Sequence, residues 1–135
     1  MDTKIDLTAE GEAFTARLTW AQARLMREAL EWCSDDRYTD TAVAVRLHAG
    51  RGEVRRLADR LACEPGSTLT VVLSLDELHV IHAALTGLTT TFLSDRGFSV
   101  ESFRERIGFF PENVETVAVS LVLAASAASE GGPAA

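Results

Sequence analysis

Lysine is almost missing from this chain: Lys4 stands alone against twelve arginines and twenty acidic residues, for a net charge of −7. A protein with that balance repels polyanions as a whole, so contact with nucleic acid or an anionic membrane needs a local basic patch. Cysteine is scarce too. Two residues, Cys33 and Cys63, do not make a disulfide framework, and they cannot fill a zinc site by themselves. Long hydrophobic runs are absent: the most apolar stretch, residues 117 to 128, is broken by Ser120 and Ser126 and is shorter than the ~20 residues that span a bilayer. The opening MDTKIDLTAEGE has no apolar core of a secretory leader, so a cytoplasmic protein with no membrane partner is expected. Nothing resembles a nucleophile turn, and AGRG at 49 to 52 lacks the lysine and hydroxyl of a phosphate loop. No catalytic residue and no cofactor follow.

What is present suits one globular domain: 135 residues, 47% hydrophobic and 24% charged, enough to bury a core without staples. Arginine in place of lysine, with abundant alanine, is the coding bias of a high-GC bacterial genome. The strongest signal is internal. Thr19 and Gln22 fit a capping box, in which a hydroxyl accepts from a first-turn amide and the residue three further on accepts from the cap amide. Ser74 and Glu77 repeat it 55 residues later. Each box follows three apolar residues at period two, Phe14, Ala16 and Leu18 or Leu69, Val71 and Leu73, the mark of a half-buried strand. Each precedes a helical pattern at the same offset, Leu25, Ala29 and Leu30 or Val80, Ala84 and Leu85.

Beyond those helices the offset becomes 60. Tyr38 then matches Phe98, Val43 Phe103, Leu47 Ile107, Val54 Val114, Leu57 Val117 and Leu61 Leu121. The expected fold is therefore α+β and mostly helical: tandem β-α-α-α half-repeats, residues 12 to 63 and 67 to 123, with Pro65 and Gly66 turning between them. An extra strand over 5 to 9 completes a small antiparallel sheet of about three strands. One half alone leaves apolar faces wet, so the two are expected to close on one core about a pseudo-two-fold axis, as a single domain over 1 to 123. Residues 124 to 135 lose periodicity and are expected to form a disordered tail.

The repeat also weighs the candidate chemistry. Cys33 falls opposite Leu88 and Cys63 opposite Leu123, apolar positions that point to buried free thiols. Asp76, His79 and His82, three apart on one helix, are weak metal-ligand candidates. Their counterparts Arg24 and Arg27 argue for a solvated flank instead. His48 matches Gly108 and reads as a helix C-cap.

Two helix pairs remain. Val43, Ala44, Leu47, Ala49, Val54 and Leu57 fall at the spacing of a DNA-binding helix-turn-helix over 43 to 60, and Phe103 to Val117 nearly so, although any two helices around a short turn need similar positions. The first pair is basic, with Arg46, Arg51, Arg55, Arg56 and Arg60; the second is acidic, with Glu101, Glu105, Glu112 and Glu115. As a nucleic-acid reader the chain would use Arg46, Arg51, Arg55 and Arg56. As a protein-binding module it would use Arg51, Arg55, Arg56 and Arg60, with Phe109 and Phe110 as aromatic anchors, one ring packing inward. The leading expectation is a small non-enzymatic bacterial regulatory or protein-interaction module, monomeric or weakly dimeric. A DNA-binding regulator comes next, and a metal protein or enzyme centred on His79 and His82 third.

Overall fold

The computed structural model describes residues 1–96 and 100–130. Along the chain run β1 (Asp6–Glu10), β2 (Ala13–Thr19), α1 (Trp20–Cys33), α2 (Asp40–Leu47), α3 (Arg51–Arg60), β3 (Thr68–Ser74), α4 (Leu75–Arg96), α5 (Val100–Ile107) and α6 (Pro111–Glu130). The fold is α+β and mostly helical, and both halves carry a strand followed by three helices. The Tyr38–Phe98 match and the side chain of Glu101 lie outside the described residues.

The strands form one antiparallel sheet in the order β1-β2-β3. Gly11, at φ 63, makes the tight β1–β2 turn, a left-handed conformation that costs glycine little. Alternation decides the faces: Phe14, Ala16, Leu18 and Leu73 are buried under the helices, while Arg17, Thr70 and Val72 face solvent. In the β2–β3 register Ala16 pairs with Val71, Phe14 with Leu73 and Leu18 with Leu69. Ala16 thus lies opposite Val71, its match at offset 55.

Both capping boxes form. Thr19 Oγ1 accepts from the Gln22 amide at 3.1 Å while the Thr19 amide donates to Gln22 Oε1 at 3.0 Å. Ser74 Oγ accepts from the Glu77 amide at 3.1 Å and the Ser74 amide donates to Glu77 Oε1 at 2.9 Å. Each strand is thereby turned into its helix at a set angle. Gln22 is buried, and its Nε2 also donates to the carbonyls of Asp2 and Lys4, tying the chain's start to α1.

Helices α1 and α4 pack against each other under the sheet, with α3 against α1 and α6 against α4. Leu25, Leu30, Ile81, Leu85, Leu88 and Phe92 fill the centre. The matches at offset 60 within the described residues, from Val43 with Phe103 to Leu61 with Leu121, are buried at both members. Burying them removes apolar side chains of both halves from water at roughly 1.5–3 kcal/mol each.

Two expectations need correction. Helix α6 does not stop near Leu123 but runs to Glu130. Alanine is the best helix former, and Ala124, Ala125 and Ala128 pack against the core while α6 lies along β1, where the Ile5 amide donates to Ser120 Oγ at 2.8 Å. Residues 131 to 135 lie outside the described residues. The second correction concerns Cys63, which is only half-buried, and Leu123, its counterpart, which is 64% exposed. Helix α3 ends at Arg60, so Cys63 sits in the connection to the Pro65–Gly66 turn, not on a packed helix face.

Candidate functional site

The α2–α3 and α5–α6 turns share one backbone device. His48 closes α2 in the left-handed region, at φ 60 and ψ 27, and its amide donates to the Ala44 carbonyl at 2.9 Å. Gly108 does the same after α5, at φ 90, donating to the Arg104 carbonyl at 2.8 Å. Histidine in that conformation is strained by roughly 1–2 kcal/mol, where glycine is not.

Each turn is met by the long helix of the opposite half, at matching positions. On one side Arg24 of α1 lies against Gly108, so closely that a Cβ at Gly108 would collide with Nη2. The Arg24 guanidinium is held between two rings, 4.8 Å from the Phe109 centroid and 5.2 Å from that of Trp20, at cation–π distance. On the other side His79 of α4, the counterpart of Arg24, lies against His48, with ring centroids 4.7 Å apart and planes at 30°. There Ala49 stands where Phe109 stands opposite, and Leu75 stands for Trp20.

Beside Ala49 and His79 lies a cleft of about 500 Å³ between α3 and the start of α4. Leu57 and Val80 contribute its apolar lining, and Glu53, Arg56, Arg60, Asp76, His48 and His79 bring polar groups to it. The cleft thus joins part of the arginine face to two of the three weak metal-ligand candidates. His82 is half-buried further along α4 and does not line it. Among the described residues no three histidine, cysteine, aspartate or glutamate side chains converge to hold a metal ion.

The arginines of α3 divide by what they already bind. Arg51 is a buckle: its guanidinium donates to the carbonyls of Ser34, Asp35 and Tyr38 and its Nε to Asp40 Oδ1 at 2.8 Å, with the side chain only 15% exposed. It pins the α1–α2 loop to the start of α3, and its donors are spent within the chain. Arg55 reaches the same loop, at 2.9 Å from Asp36 Oδ1 and 3.2 Å from the Ser34 carbonyl, while remaining half exposed. Arg60 donates to the Glu77 carboxylate and to the Val72 carbonyl on the outer edge of β3. Arg46 turns inward, its guanidinium 4.6 Å from the Tyr38 centroid and its Nη1 buried without a hydrogen-bond partner. Arg56, at the cleft rim, is exposed and has no hydrogen bond or ion pair among the described residues.

The remaining candidates sit elsewhere. Phe109 is buried in the Arg24 stack, and Phe110 is 44% exposed under Arg104, whose guanidinium lies 4.8 Å from the ring. Cys33 is fully buried, its Sγ 3.7 Å from the Ala84 carbonyl, and burial pushes the thiol up to about 11 against the weaker pull of Arg46. A thiol so placed stays protonated and unreactive near neutral pH. Burial also raises the Glu28 carboxyl, helped by Glu31 and opposed by Arg106, Arg24 and Arg27, whereas the Arg37 amide lowers Asp35.

Sequence reasoning named Arg56, Arg60, Asp76 and His79 but did not bring them together, and it gave Ala49 only a place in the helix-turn-helix spacing. A signal existed: aligning 49 with 109 sets alanine against phenylalanine beside the left-handed turn. No helix among the described residues is long and apolar enough to cross a membrane. Compared with known protein families, curated proteins and solved structures, the chain matches none.

Proposed function

We propose that this chain is a small non-enzymatic protein-interaction module of regulatory type, built from a doubled β-α-α-α unit, that holds its partner at the cleft between α3 and α4. The observation that carries the reading is the contrast between the two turns. One is filled by the chain's own Arg24, Trp20 and Phe109, while the other stands open beside a free arginine. A concave surface with an apolar lining and convergent polar groups is the default place for a ligand. The cleft lining holds no hydroxyl or thiol nucleophile, and its two histidines rest against each other.

The doubled unit is supported by the shared element order, the Ala16–Val71 register and the matched contacts Arg24–Gly108 and His79–His48. A nucleic-acid role keeps one point in its favour, the exposure of Arg55 and Arg56 on the second helix of a helix-turn-helix-like pair. Against it stand Arg51 and Arg46, whose guanidinium groups are engaged with or turned into the chain's own structure.

The test is affinity capture with the purified full chain from its source cells. A discrete protein held by the native chain, lost with Arg56→Glu and kept with Arg17→Glu on the outer sheet face, is the expected result. Capture indifferent to Arg56→Glu rejects the cleft. Retention on a DNA column that falls steeply with salt and disappears in Arg55→Ala with Arg56→Ala would put nucleic acid in place of the protein partner.

A further inference from the structure

The filled turn gives a template for what the open one lacks. Around Gly108 three groups interlock: the cation of Arg24, the face of Phe109 directly after the turn, and the ring of Trp20 one helical turn before Arg24. Around His48 the corresponding groups are the imidazole of His79, the methyl of Ala49 and the side chain of Leu75. The flat group on the long helix is retained as an imidazole. The ring of His48 meets that imidazole, but no ring follows the turn where Phe109 stands opposite, because Ala49 has no side chain beyond Cβ. Leu75 is left 63% exposed on the same face of α4 as His79, an apolar group large enough to call for a cover.

We infer that the cleft receives an aromatic side chain from a partner peptide, its ring lying over Ala49 and against His79 as Phe109 lies against Arg24. This rests on the proposed contact role of the cleft and adds the chemistry of the occupant. Three features select an aromatic ring over an aliphatic side chain. Its flat face matches the imidazole of His79, as ring pairs prefer offset or tilted contacts at 4.5–7 Å. The cleft, at about 500 Å³, admits one ring and its flanking backbone. Glu53, Arg56 and Asp76 carry both donors and acceptors, so they suit the amides of an extended peptide better than a single net charge.

The template also supplies the probe. Residues 108 to 112 read GFFPE, and a blocked pentapeptide of that sequence presents a ring on the backbone that places Phe109. Titrated into the labelled full chain and followed by NMR, it is expected to shift the imidazole resonances of His48 and His79 and the Ala49 methyl. Saturation is expected near 1 mM, the range of one buried ring on a short peptide. A GLLPE peptide is expected to bind about two- to tenfold more weakly, the worth of one ring pair. Ala49→Phe fills the cleft from within and abolishes the shifts at an unchanged fold, and Ala49→Met weakens them; Val45→Phe, on the exposed side of α2, leaves them as they were. Absence of shifts at His48 and His79, equal binding of GLLPE, or full binding by a folded Ala49→Phe or Ala49→Met chain each overturns the inference. If the aromatic peptide fails while partner capture still depends on Arg56, the cleft keeps its contact role and loses only the aromatic occupant.

Discussion

Set side by side, the turn at His48 and the turn at Gly108 show how one scaffold yields both a closed joint and an open cleft. The backbone does the same thing twice, a left-handed residue whose amide caps the preceding helix. Four side-chain exchanges make the difference: Phe109 for Ala49, Arg24 for His79, Trp20 for Leu75 and Gly108 for His48. On the closed side, the stacked guanidinium tethers α1 to the α5–α6 turn. On the open side, the same tether is reduced to a pair of imidazoles and the space is given to solvent. Loss of packing on one side only, with the backbone kept, is what a binding cleft requires, since a rigid frame spares the partner the cost of ordering it.

The contrast can be broken most forcefully from the closed side. Phe109→Ala removes the cover of Arg24 and is expected to cost about 3 kcal/mol, read as a lower urea midpoint at unchanged slope. Because Ala49 already has this truncated form, the structure around His48 should tolerate filling far better than the structure around Gly108 tolerates emptying.

The turns themselves come next. Gly108→Ala forces a side chain into the left-handed region and against the Arg24 guanidinium, for an expected loss of about 2 kcal/mol. His48→Gly relieves the same strain and should stabilise by less than about 1 kcal/mol, offset in part by the added freedom of the unfolded chain. Opposite signs at equivalent positions are the expected outcome of paired urea titrations.

Arginines of α3 sharpen the comparison further. Arg51→Met removes a donor from the carbonyls of Ser34, Asp35 and Tyr38 and the cation from Asp40; Ser34 keeps Arg55 and Asp35 keeps the Tyr38 amide, and a loss of about 2 kcal/mol is expected in thermal or urea unfolding. Arg56→Met should lie within about 0.5 kcal/mol of the native chain, because it makes no bond to break. Equal effects of the two would remove the distinction between a structural buckle and a free contact group.

Much of this was legible in local pattern. The capping boxes at Thr19 and Ser74, the period-two strands and the His48 C-cap depend on residues within four positions of one another, so their chemistry shows in the sequence. Helix α6 was harder to read past Leu123, because alanines that pack beside β1 leave no large apolar period behind. Arg51 looked like its neighbours Arg55 and Arg56. What separates it is a loop more than ten residues earlier in the chain, whose carbonyls happen to converge where its side chain enters.

By itself, then, the order of residues determined the strands and most helices, the two capping boxes and the apolar positions that match at offset 60, but neither the end of α6 nor the exposure of Cys63 and Leu123. Hydrogen bonds from i to i+3 or i+4 and burial at period 2 or 3.6 are settled by near neighbours. Only the tertiary structure decided that Arg24 meets Gly108 and His79 meets His48, and so which turn is filled and which is open. Each of those contacts joins residues far apart along the chain, and the space left over is a property of the packed whole.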